Sequence, residues 1–192
     1  MDMKLLACSV LLRWLLIICP PVMQEAVSIG VEQALDHLTL KIPVPKRFQS
    51  GEAVRILNAE KKEIAMQATF LDQESEEWLQ LHTETGFDRS INAARRGAAK
   101  AYCNSTIEQY SKRGYELVEV SPKELIKDFD SFDFSKEMNV MFTFKGETGE
   151  LRYVKLRIFF SNLGFLVGAH SNNLERLNSL DDFVKGVVPK AK

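Results

Sequence analysis

"YVKLRIFFSNLGFLVGAHS", residues 153–171, decides how this chain folds. Two strand-like runs flank the short turn Ser161–Gly164. In the first run Val154, Leu156, Ile158 and Phe160 recur at every second residue, so all four share one face of a pleated strand. The run just before it has the same period, with Val140, Phe142 and Phe144, and "KGETGE" (145–150) turns the chain back between them. Successive runs with short turns make the middle of an antiparallel meander. These strands carry almost no reactive groups, so they read as core.

Working outward, "YELVEV" (115–120) reads as a strand, and "AVRILNAEKKEIAMQATFL" (53–71) as two strands around the polar turn Glu60–Glu63. "HLTLKIPV" (37–44) places Leu38, Leu40 and Ile42 on one face of a half-buried strand that ends at Pro43 and Pro45. A long helix is predicted from about Ser90 to Arg113. Asp88 is its cap, Lys112 and Arg113 lie at its negative end, and Gly114 supplies the left-handed stop. Its apolar stripe is Ile91, Ala94, Ala98, Ala101 and Tyr102, small enough to lie close on a sheet. That stripe leaves Cys103 to one side. "SPKELIKDFDSFDFSKE" (121–137) reads either as a short helix or as an edge strand with a loop. Ser179 and Asp182 open a C-terminal helix in the manner of a capping box, and Pro189 lies beyond its end. The expected class is α+β, an antiparallel meander whose inner face is covered by the long central helix and the C-terminal helix.

The start of the chain has a different character. Lys4 precedes the run Leu5–Cys19, which only Arg13 interrupts, and Pro20 and Pro21 end any helix there. A spanning helix needs about 20 apolar residues, and a central arginine costs about 2.5–3.5 kcal/mol on insertion. Ala26 and Ser28 then stand at the −3 and −1 positions of a signal-peptidase cut before Ile29. Residues 1–28 therefore read as a signal peptide, with a retained N-terminal anchor as the alternative, and residues 29–192 as a single α+β domain. Cys19 is a poor lipidation site, because Ile18 stands where a small residue is needed and Pro20 follows. The expected location is periplasmic or secreted. Cys8 and Cys19 leave with the leader, so Cys103 remains alone and no intrachain disulfide forms.

Charge excludes a polyanion partner. The 192 residues hold 25 Lys and Arg against 26 Asp and Glu, and Asp2, Lys4, Arg13 and Glu25 of the leader cancel, so the rest keeps a net charge of −1. The short cluster Arg95, Arg96 and Lys100 reads as a solvated helix face rather than a nucleic-acid site. Contact with a membrane is expected only through an uncleaved leader.

Candidate chemistry is sparse. His37, His82 and His170 lack metal-ligand spacing, and no P-loop, G-x-S-x-G or G-x-G-x-x-G is present. Asp128, Asp130 and Asp133 lack the turn glycine and distal glutamate of a calcium loop, so Phe129, Phe132 and Phe134 read as the apolar side of an amphipathic strand or loop. Asn104-Ser105-Thr106 is a sequon set inside a helix. The one enzymatic alternative is a small thiol-dependent hydrolase using Cys103 with a histidine. It needs a depressed thiol pKa, and mid-helix Cys103 has no visible source of one. No enzyme, metal or cofactor is therefore expected. For a protein partner, "DQESEEWLQLHTETGF" (72–87) reads as an acidic loop or short helix, with Trp78 and Phe87 as candidate anchors among Asp72, Glu74, Glu76, Glu77 and Glu84. Burial of Trp78 against the sheet edge is the expected state, and an exposed anchor is the alternative.

The order of elements, with "KIPVPKRF" (41–48) after the first strand and "FVKGVVP" (183–189) at the end, resembles the PsbP-like group, including exported bacterial DcrB-like proteins. The resemblance covers roughly residues 37 to 189 and is one of pattern. It implies an α-β-α sandwich around an antiparallel sheet and an accessory or binding role, as partner of an envelope complex or as a periplasmic immunity protein. It carries over no site residues.

Overall fold

The computed structural model describes residues 25–29, 40–41, 44–72, 74–84, 92–123, 137–160 and 164–189. Outside them lie most of the leader, His37, Phe87, the cap Asp88, Ile91, residues 124–136 with their Asp and Phe series, and most of the Ser161–Gly164 turn.

In chain order the strands are β1 (Glu25–Ile29), β2 (Leu40–Lys41), β3 (Gln49–Leu57), β4 (Glu63–Leu71) and β5 (Trp78–Glu84), followed by helix α1 (Asn92–Ser111). Then come β6 (Glu116–Ser121), β7 (Met138–Lys145), β8 (Leu151–Phe160) and β9 (Gly164–Ser171), the short helices α2 (Leu174–Ser179) and α3 (Asp181–Gly186), and β10 (Val188–Pro189). Eight strands form one antiparallel sheet in the order β1-β3-β4-β5-β9-β8-β7-β6, and β2 pairs with β10 in a separate two-stranded sheet. The sheet is thus two meanders, β1-β3-β4-β5 and β6-β7-β8-β9, joined where β5 meets β9. The α+β class and the antiparallel meander are as the sequence implies.

Each hairpin has a local cause. Between β3 and β4 the Asn58 side chain accepts from the backbone N–H of Glu60 at 3.0 Å and of Lys62 at 2.9 Å, while Lys61 takes a left-handed φ of 61°. The acidic run before Trp78 is neither an open loop nor a helix. Asp72 accepts from the Glu74 N–H at 3.0 Å and the Ser75 hydroxyl at 2.6 Å, which makes a tight turn, and β5 starts at Trp78. A segment that reads as surface in the sequence is therefore a central strand. Its Leu79 and Leu81 face one layer, and Trp78, Gln80, His82 and Glu84 face the other. At the end of α1, Gly114 has φ 84°, the left-handed stop that its position implies.

The two helical layers cover opposite faces, as in a sandwich of helix, sheet and helix, and not one inner face together. Alternation along the strands sends Leu166 to the α1 side and Val167 to the α2–α3 side. On the α1 side Tyr102, Cys103 and Tyr110 pack on Val140, Phe142, Phe144, Val154, Leu156 and Ile158. On the other side Leu177, Leu180, Phe183, Val184 and Val187 pack on Ala68, Phe70, Leu79, Leu81, Val167 and Ala169. Phe160 shares the face of Ile158 but is only half-buried, while Phe159 behind it is buried.

Three further corrections concern the helices. The buried face of α1 runs through Ala98, Ala99, Tyr102, Cys103, Thr106 and Tyr110, so Cys103 points inward and Ala101 is only half-buried. Arg95 and Arg96 are likewise half-buried, each with Nε enclosed, rather than on a solvated face. At the C-terminus there are two short helices instead of one. Ser179 closes the first by donating from its hydroxyl to the Arg176 carbonyl at 2.7 Å, and the cap of α2 is Asn173. Arg157 then ties α3 to the sheet. Its guanidinium donates to the carbonyls of Val184, Lys185 and Val187 at 3.1, 2.7 and 2.9 Å and to Glu137 at 2.8 Å. These carbonyls at and beyond the helix end would otherwise lack partners.

Candidate functional site

The unusual feature of the fold is a polar seam buried between α1 and strands β4 and β5. Register places Gln67 opposite His82 and Thr69 opposite Gln80. Gln67, Thr69, Gln80, His82 and Glu84 all lie on the α1 side, and all are buried. From the helix Tyr102 reaches Glu84 and His82, and Thr106 and Gln109 are spaced to share its stripe.

Part of the seam is satisfied by hydrogen bonds. The Tyr102 hydroxyl donates to Glu84 Oε2 at 2.8 Å, and the Thr106 hydroxyl donates back to the Tyr102 carbonyl at 3.0 Å. At the other end His170 bridges helix and sheet. Its Nδ1 lies 3.1 Å from the Tyr110 hydroxyl and its Nε2 lies 3.2 Å from Gln80 Oε1. A neutral ring protonated at Nε2 satisfies both contacts, donating to Gln80 and accepting from Tyr110. Burial, reinforced by the charge of Arg113, holds the His170 pKa well below its ordinary value, consistent with that neutral ring.

Trp78 belongs to this end of the seam. Its ring stacks on His170 with centroids 3.4 Å apart and 11° between planes, and Tyr110 stacks in turn on Phe144 at 4.3 Å. Trp78 is half-buried. It is therefore packed on one face as a structural ring, in the middle of the sheet rather than at its edge. Arg113 lies 5.7 Å from the Tyr110 ring and Arg152 lies 5.9 Å from the Tyr115 ring, so cations border the aromatic end.

The middle of the seam is different. Among the described residues neither ring nitrogen of His82 has a hydrogen-bond partner, and the same holds for Gln67 Nε2 and for both amide atoms of Gln109. Tyr102 offers His82 only the edge-to-face contact of its ring, at 5.2 Å. Burial alone lowers the His82 pKa to about 4, so the imidazole is neutral at physiological pH.

Cys103 sits in the apolar part of the same layer. Burial pushes its thiol up to about 12, which leaves it protonated and a poor nucleophile at neutral pH. Among the described residues no group of three or more His, Cys, Asp or Glu is placed to hold a metal ion. No described helix is long and apolar enough to cross a membrane. Asn104 of the sequon is exposed on α1, and Phe87, the second candidate anchor, lies outside the described residues.

A second buried ionic group lies on the opposite face at the β4–β5 turn. Glu77 is fully enclosed, accepts from the Ser171 hydroxyl at 3.0 Å, and pairs with Arg47 Nη2 at 2.9 Å. It locks the turn before Trp78 to the end of β9. Sequence reasoning picks out Trp78, His82, His170 and Cys103 but misses Gln67, Gln80, Glu84, Tyr102, Gln109 and Tyr110 as parts of one layer. The available signal is the alternation of Gln67 and Thr69 with Met66, Ala68 and Phe70, and of Gln80 and His82 with Leu79 and Leu81. Such a pattern normally marks a solvent face, and here a helix covers it. No protein-family model matches the chain, and no curated protein or solved structure is significantly similar to it.

Proposed function

We propose that this chain is an exported, non-catalytic binding or accessory protein of the cell envelope, acting on a protein partner as a component of an envelope complex or as a periplasmic immunity protein. The observation that carries the reading is the fate of the histidines and the cysteine among the described residues. His82, His170 and Cys103 are all enclosed between α1 and the sheet, two as neutral imidazoles and one as a protonated thiol. Chemistry at a substrate needs a group that substrate can reach, whereas binding needs a rigid scaffold, and a sheet covered on both faces supplies one. The leader supports export, and the layer order of helix, sheet and helix agrees with the PsbP-like resemblance. Trp78 and Phe87 are the proposed partner-binding residues. Trp78 has one ring face committed to His170, so its remaining surface is what a partner would meet.

The test is complementation in cells lacking the gene, combined with fractionation. Wild-type chain and Cys103→Ala should restore the deletion phenotype equally, and both should be recovered from the periplasm or medium. Loss of complementation by Cys103→Ala at unchanged melting temperature would establish the thiol enzyme instead. Recovery of the wild-type chain only from the cytoplasm would end the export reading.

A further inference from the structure

Ala26 and Ser28 carry two roles at once. In the sequence they are the small pair that a signal peptidase reads before Ile29, and in the fold they are residues of β1, paired antiparallel with β3. Ala26 stands opposite Ile56, Val27 opposite Arg55, Ser28 opposite Val54 and Ile29 opposite Ala53. On its other side β3 is held by β4, with register shifts between Ser50 and Ala53 and between Ile56 and Leu57. Ala53–Ile56 is therefore the unbroken stretch of β3, and β1 covers all of it together with Leu57. The first of those shifts is fixed by close packing, since a Cβ on Gly51 would meet the Thr69 carbonyl oxygen at 2.0 Å.

Export processing changes this edge. Water splits the Ser28–Ile29 peptide bond, leaving a carboxylate on Ser28 and an ammonium on Ile29, and four of the five β1 residues depart with the leader. The backbone N–H and C=O groups of β3 that they paired then need new partners, and such an edge is a template for strand pairing.

We propose that β3 is a strand acceptor, filled by the end of the leader in the precursor and, after the cut, by an extended segment of a partner protein. The proposal rests on the exported-binding reading above and specifies its mode of binding. β1 itself shows what fits. The partner segment runs antiparallel to β3 and has no proline where its N–H points toward β3, because that missing amide would break the ladder. It carries small uncharged residues at the two positions opposite Ile56 and Val54, as Ala26 and Ser28 do. Main-chain bonds then supply affinity and these two positions supply selectivity. In the precursor the leader shields the same edge from unwanted pairing.

The experiment uses exported mature protein, purified full-length precursor, and a synthetic peptide of residues 24–30 (QEAVSIG) with a Val27→Pro version as control. The mature chain is expected to begin at Ile29 and to bind the peptide saturably, with at least tenfold slower exchange of those Ala53–Leu57 amides that point away from β4. The proline peptide and the precursor are expected to show neither effect. Any mature N-terminus other than Ile29 overturns the proposal together with the assigned cut. A mature chain that begins at Ile29 but neither binds the peptide nor gains protection overturns strand acceptance alone and leaves the export reading standing.

Discussion

Beneath α1 the sheet has two halves that are equally buried and chemically unlike. On β7 and β8 the helix meets Val140, Phe142, Phe144, Val154, Leu156 and Ile158. On β4 and β5 the buried residues of the same face are Gln67, Thr69, Gln80, His82 and Glu84, and α1 reaches Glu84 and His82 through Tyr102. The first half gains free energy simply by leaving water, about 25 cal/mol per Å² of apolar surface. The second gains only where hydrogen bonds replace those lost to solvent, as in Tyr102–Glu84 and Tyr110–His170, and it costs free energy at His82, Gln67 Nε2 and Gln109, which lack partners among the described residues. Burial here is decided by which element lies above a strand, and polarity decides what that burial is worth. The apolar half supplies stability. The polar half fixes where along the sheet the helix sits.

The sharpest way to break this contrast is a cavity in the apolar half. Phe142→Ala should lower unfolding free energy by about 3–5 kcal/mol, the range for a large aromatic lost from a close-packed core. Urea denaturation followed by far-UV circular dichroism measures it, and an unchanged midpoint would mean that this half does not hold the fold.

The next largest effect belongs to the polar half and depends on pH. The folded pKa of His82 is depressed to about 4 from an ordinary 6.5, so the unfolded chain binds its proton first. Stability from this group is complete above pH 6.5, falls as pH drops from 6.5 to 4, and changes no further below. The loss amounts to about 3 kcal/mol, since each tenfold difference in proton affinity between the folded and unfolded chain is worth about 1.4 kcal/mol. His170 is depressed as well and adds in the same direction. Melting temperatures taken across this window should decline, and His82→Phe should flatten the decline by one proton. A parent curve that is flat from pH 7 to 4.5 would show that the seam is open to water.

These contrasts also mark what can be read in advance. The meander β7-β8-β9 is legible because Val140, Phe142 and Phe144 and then Val154, Leu156 and Ile158 repeat with period two beside clear turns. Gly114 marks the end of α1 for an equally local reason. The polar half is not legible, because Gln67 and His82 meet only through the β4–β5 register and are enclosed only by chain distant from them in sequence. The acidic turn misleads in the other direction. Asp72 and Glu77 look like surface charges in sequence, yet one shapes a hairpin and the other is enclosed and meets Arg47 from within. Cys103 falls beside the stripe expected from periodicity because that stripe is too narrow for a helix covering both halves of the sheet.

A smaller effect is expected at Trp78, where the two halves meet. Trp78→Ala removes the ring stacked on His170 but vacates a site that is only half-buried, so it should cost about 2 kcal/mol, below the full core range. If thermal unfolding shows no loss, the stack does not position the seam, and Trp78 is free to serve wholly as an anchor. Smallest of all is Gln67→Met. It replaces a buried amide whose Nε2 has no protein partner by an apolar group of similar length, so stability should change by less than about 1 kcal/mol or rise. A loss above about 2 kcal/mol would mean that the amide is firmly bonded in solution.

The central claim is that the histidines under α1 are closed off as neutral structural groups. The most direct test is titration of the imidazole resonances by NMR in the folded full-length chain. His82 should remain neutral until pH approaches 4, and His170 should also titrate below its ordinary value, with its Nε2 carrying the proton throughout. If both rings titrate near 6.5 while the chain stays folded, water reaches them, and the account of a closed polar seam is contradicted.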